Sequence, residues 1–253
     1  MLSTPPPIPE PRPAVWGPII TILWGVLVAF AFLIAQSLAA GIYLAIRLGP
    51  GRLGDLQPAL QSLKSDGTFF AVCTFATLFV CTPLVLGIIK LKNGSRLADY
   101  LGLRRPSLRQ LAKWTALTIG TCVIMDLVLW LAQQPIVPPF MREAYPSADP
   151  RWLLWLALAV AAPVFEEIFF RGFLFAGLAA SRLRWSGAIL ITAALWAAIH
   201  VQYDWYGISI IFVLGLLLGT ARALTRSTVL TIWLHCMINI IATAETAFVL
   251  REA

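Results

Sequence analysis

Residues 17–46 run without a single charged side chain. No other feature restricts this chain's fold as strongly. At about 1.5 Å of rise per residue, an apolar helix of about 20 residues crosses roughly 30 Å of hydrocarbon. Further apolar runs lie near 68–90, 111–132, 152–179, 187–203, 206–225 and 228–250. In lipid every backbone amide must be satisfied within its own segment, so these runs predict an all-α polytopic transmembrane helix bundle. The run at 152–179 is long and contains Pro163, where it could tilt or break, so about seven to eight spans are expected. Charged residues make up only 12% of the chain, about half of what a water-soluble domain carries, which excludes a single water-soluble core. The mean hydropathy of +0.82 agrees.

The opening STPPPIPEPRPAVWGP predicts a Pro-rich disordered tail over 1–16, followed by one transmembrane helical domain over 17–253. The first apolar run is too long for a signal-peptide core and reads as a retained span. Cys73, Cys81, Cys122 and Cys236 all fall inside expected spans, where they read as small packing residues rather than as a disulfide framework.

A net charge of +7 raises the question of nucleic acid, but the basic residues lie between spans rather than along one face, so no nucleic-acid partner is expected. Membrane topology accounts for them better. Lys90, Lys92, Arg96, Arg104, Arg105, Arg109 and Lys113 surround the second connection, whereas the first holds only Arg47, Arg52 and Lys64. That asymmetry predicts a cytoplasmic position for residues 91–110. The chain shows no fixed-period repeat and no Walker-type or dinucleotide glycine loop, and no cofactor is expected.

A charge at the centre of a bilayer costs about 2.5 to 3.5 kcal/mol even on the lenient insertion scale, so polar groups inside the spans carry the functional information. Asp126 and Glu245 each stand alone in an apolar stretch and read as side chains packed against a neighbouring helix. Glu166, Glu167 and Arg171 form a set. At 100° per residue, Glu167 and Arg171 share one helix stripe and can pair, while Glu166 turns to the next stripe as a free carboxylate. The chain's two histidines, His200 and His235, both fall in late apolar runs, and Asn239 lies one turn beyond His235 on the same face. A bundle core could gather these groups into one polar cavity. A structural reading of the same residues is a salt-bridged hinge with satisfied core histidines.

In their order, EExxxR at 166–171, the histidine that closes Trp196–His200, and His235 with Asn239 resemble the CPBP family of intramembrane glutamic endopeptidases. That family includes CAAX prenyl-protein proteases, bacteriocin-processing enzymes and Abi-type members. The resemblance covers roughly 95–245, including the run LGLRRPS. One departure stands out: the usual FxxxH reads WAAIH, with Trp196 in the aromatic place. The resemblance implies a proteolytic activity without an obligate metal, in which Glu166 and His200 activate a water and His235 and Asn239 stabilise the oxyanion. Glu167 and Arg171 would support Glu166. The implied partners are the lipid bilayer and a peptide or lipid-modified protein substrate, at the plasma membrane of a prokaryote or the endoplasmic reticulum of a eukaryote.

Two other readings stay open from the residues alone. Two histidines and two glutamates could hold zinc, although HExxH is absent. A catalytically silent scaffold, immunity protein or carrier would use the same polar cluster for binding. A Cys/His protease fits less well, since Cys236 points about 100° away from His235 along the helix.

Overall fold

The computed structural model describes residues 14–49 and 56–252, so most of the expected Pro-rich tail lies outside the described residues. All regular structure among the described residues is helical. Helix α1 (Pro18–Leu48) starts with proline at its first position, where a missing N–H costs nothing. It buries only Thr21, Val28, Ala35, Ala39 and Leu44, mostly small side chains along one stripe. Its other faces leave Phe30, Ile34 and Leu38 about 60% exposed. A row of exposed apolar side chains on this scale is untenable in water and is what a lipid-facing helix requires.

Helix α2 (Leu56–Ser62) leads through a short turn to Asp66, whose carboxylate accepts the Phe69 N–H at 2.9 Å and caps α3 (Gly67–Lys90). At Gly67 a Cβ would fall 2.1 Å from the Ala144 carbonyl oxygen, so only glycine allows the later helix that carries Ala144 to approach there. Helix α4 (Leu97–Leu101) ends at Gly102 in the left-handed region. A reciprocal Ser107–Gln110 capping box starts α5 (Leu108–Leu131). The short α6 (Pro139–Ser147) lies across the connection that leads to α7 (Arg151–Ala179). Half of the most apolar window of α7 is buried, against 17% for α1, which makes α7 the central helix of the bundle. Helices α8 (Arg184–Ala198), α9 (Trp205–Thr225) and α10 (Thr228–Glu252) complete it.

Among the described residues six helices are long and apolar enough to cross a membrane, namely α1, α3, α5, α7, α9 and α10. The expected fifth span is represented by α8, which has 15 residues and covers only about 22 Å. Its apolar pattern runs on through Ile199 and Val201, but the chain turns at His200 and Asp204 caps α9 by accepting the Gly207 N–H at 2.9 Å. The chain is therefore a multi-pass integral membrane protein.

Pro163 does not break α7. The backbone widens into π-type turns over Ala157–Ala161 and again over Glu167–Leu174. In the first of these Ala162 N donates to Ala157 O, so by the same i to i−5 register the partner of the Leu158 carbonyl would be the nitrogen of Pro163, which has no hydrogen. Asn239 Nδ2 from α10 fills that vacancy by donating to Leu158 O at 2.7 Å.

Candidate active site

Three elements deliver the expected residues to one place. Helix α7 supplies Glu166, Glu167 and Arg171; the end of α8 and the following connection supply Trp196 and His200; α10 supplies His235 and Asn239. Glu166, Trp196, His200, His235 and Asn239 all line a cavity of about 610 Å³. Glu167 and Arg171 lie behind its wall and are fully buried.

The helix stripes hold as the spacing predicts. Arg171 Nη1 donates to Glu167 Oε1 at 2.9 Å, while Glu166 faces the cavity with its side chain 16% exposed. Glu167 Oε1 also meets His235 Nδ1 at 2.9 Å. With Nδ1–H donating to that carboxylate, Nε2 is the ring nitrogen left toward the cavity, and it stands 3.9 Å from Glu166 Oε2. That distance is too long for a direct hydrogen bond. A water about 2.8 Å from both atoms would see them at nearly a right angle, so the gap is the right size to seat one.

Trp196 ties the cluster together. Its indole N–H donates to Glu166 Oε2, and its ring lies edge-on to both His200 (centroids 5.3 Å apart) and His235 (5.0 Å). The Arg171 guanidinium sits 4.5 Å from the same ring. A desolvated contact of that kind contributes about 2 kcal/mol, which helps to offset the cost of burying Arg171 completely. A phenylalanine here would keep the ring faces but could not donate to Glu166.

His200 sits just past the end of α8, where its Nδ1 lies 2.7 Å from the Trp196 carbonyl oxygen. An Nδ1–H donated there leaves Nε2 free on a residue that lines the cavity. Asn239 spends one N–H on Leu158 and retains a second N–H and its carbonyl oxygen.

Two features of the cavity are not visible in the motif. Tyr203 packs against His200 (5.9 Å) and edge-on to Phe140 (4.9 Å), and burial, followed by the charge of Glu166, pushes its hydroxyl up to about 12. It therefore stays protonated near Glu166 over the physiological range. Asp126 from α5 and Glu245 from α10, which read as lone acids, both line the wall of the same cavity. Among the described residues no three His, Cys, Asp or Glu side chains converge in a way that could hold a metal ion.

Residues 148–241 match the family model described as type II CAAX prenyl endopeptidase Rce1-like. No curated protein and no solved structure matches the chain. The matched stretch begins before α7 and ends after Asn239, so it spans all three motifs and leaves α1 to α6 outside. Over residues 148–241 the chain is thus similar to Rce1-like type II CAAX prenyl endopeptidases.

Proposed function

We propose that the protein is an intramembrane endopeptidase that hydrolyses a peptide bond with a water activated by Glu166. The observation that carries this reading is the pairing of Glu166 Oε2 with His235 Nε2 across 3.9 Å at a cavity wall, with Glu167 and Arg171 fixing His235 from behind.

Water seated in that gap gives a proton to the Glu166 carboxylate as its oxygen attacks the peptide carbonyl carbon. His200, through its free ring nitrogen, gives the water a second contact. Negative charge then develops on the carbonyl oxygen. His235 and the N–H of Asn239 that Leu158 does not take are the groups that stabilise that oxyanion. Glu166 returns the proton to the departing amine as the C–N bond breaks, and the products are a carboxylic acid and an amine. The Glu167–Arg171 pair touches no substrate in this scheme. It orients the ring of His235 and keeps Trp196 against Glu166.

The substrate is a peptide bond held close to the bilayer, in a membrane-bound or lipid-modified protein, as the Rce1-like match and the intramembrane cavity both favour. The test is turnover by purified Glu166→Gln and His200→Ala protein, each checked for normal insertion and folding. Both are expected to be inactive, and retained turnover in either would remove the assignment.

A further inference from the structure

The cavity has a direction. Helix α3 lines it through residues 69–77, in its first half; α5 through 122–129, in its second half; and α10 from His235 onward to Thr246. Residues within 134–141 and 199–207 also line it, and in these stretches Val201 and Trp205 are each 82% exposed, which marks this as its rim. All of these belong to one end of the bundle. Thr68 Oγ1 accepts the Asp149 N–H at 2.9 Å there, and Ser147 reaches Ser65 and Gly67.

The other end is tied together by different contacts. Trp16 Nε1 donates to Ile88 O at 3.2 Å, and Thr228 N donates to Gly102 O at 2.9 Å. Among the described residues the basic ones collect at this second end: the seven that surround the α3–α5 connection, together with Arg182, Arg184, Arg222 and Arg226, accompanied by a single acid, Asp99. Around the cavity end the described charges are mixed, with Arg47, Lys64, Arg142, Arg151 and Arg251 set among Asp66, Glu143, Asp149 and Asp204. Short connections rich in Lys and Arg stay on the cytoplasmic side. The cavity therefore lies toward the opposite side.

We propose that the site opens to the non-cytoplasmic face and that its substrate is a membrane-attached chain whose scissile bond has already been carried across the bilayer. The second half of this statement rests on the endopeptidase reading; the first half does not. The class of reaction that must supply such a substrate is translocation. A lipid-modified tail produced in the cytoplasm would arrive at the basic end, away from the rim.

The test uses the full chain in a bacterial host. Asn93→Cys and Gln202→Cys are introduced separately after Cys73, Cys81, Cys122 and Cys236 are replaced by alanine, and intact cells receive an impermeant thiol reagent. Labelling of Gln202→Cys in intact cells, and of Asn93→Cys only after lysis, is expected; the reverse pattern overturns the proposal. Because removing four cysteines could disturb folding, reporters are also fused after Ala253 in the otherwise native chain. An active alkaline phosphatase with a dark green fluorescent protein is expected, and the opposite result overturns the orientation. Finally, membrane-anchored peptide libraries displayed on one face or the other are compared for Glu166-dependent cleavage. Cleavage confined to the non-cytoplasmic library is expected, and cleavage confined to the cytoplasmic one contradicts the proposal. Cleavage of neither, with the expected labelling, overturns the endopeptidase reading and the substrate class while leaving the orientation standing.

Discussion

Replacing Trp196 by phenylalanine restores the FxxxH spelling typical of the family that the motifs resemble, yet the contacts in this chain predict a loss. The indole N–H donates to Glu166 Oε2, and phenylalanine has no donor to offer. A hydrogen bond to a charged group contributes about 1.5 to 3 kcal/mol, and each 1.36 kcal/mol on a barrier is about a factor of ten in rate. If the bond serves to aim the carboxylate at the water, Trp196→Phe lowers kcat by about one to two powers of ten. KM should change little, because the contact is to Glu166 and not to substrate. The ring faces toward His200, His235 and Arg171 survive in phenylalanine, so stability should fall far less than in Trp196→Ala, for which a buried aromatic truncation costs about 3 to 5 kcal/mol. The assay is steady-state hydrolysis by protein in lipid nanodiscs, on a peptide recovered from membranes, with thermal unfolding of the same samples alongside. An unchanged kcat in a folded Trp196→Phe protein would refute the idea that the indole positions Glu166. A rise in KM alone would make Trp196 a wall of the substrate pocket and nothing more.

Glu167→Gln removes the charge that offsets the fully buried Arg171, and breaking a buried pair of this kind costs about 3 to 5 kcal/mol, measurable as a lower midpoint in thermal unfolding; an unchanged midpoint would contradict the pairing. Asn239→Ala should lower kcat by about two to three powers of ten with little change in KM if its second N–H serves the oxyanion, and a rise in KM alone would reassign it to substrate binding. Prolonged exposure to a strong zinc chelator should leave activity intact, whereas loss that is reversed by added zinc would favour a metal-activated water. Tyr203→Phe should reduce turnover if its hydroxyl, held protonated beside Glu166, contacts the reacting groups, and full activity would make it a packing residue only.

Much of the site was legible because helix periodicity is local. Four residues separate Glu167 from Arg171, and that spacing alone sets them side by side, with Glu166 on the neighbouring stripe facing the cavity. The sharing of one cavity by His200 and His235 followed from two histidines in late apolar runs. The remainder depends on register between helices, which no local pattern encodes. Nothing in CVIMDLVLW or ATAETAF says that Asp126 and Glu245 line one cavity. The engagement of Asn239 with Leu158 becomes predictable only once Pro163 is known to widen α7 instead of breaking it, leaving one carbonyl without its donor. The fifth apolar run extends past the end of α8 because hydropathy registers Ile199 and Val201 but not the turn at His200. Tyr203 carried no signal, being one aromatic residue in a connection.

The central claim is that this chain cuts peptide bonds through Glu166. The most direct test compares, by mass spectrometry, the peptide products in membranes that carry the wild-type chain with those carrying Glu166→Ala at equal abundance. The account predicts a defined set of new termini present with the wild type and absent with the variant. Identical peptide sets from two equally expressed, correctly inserted proteins would contradict it.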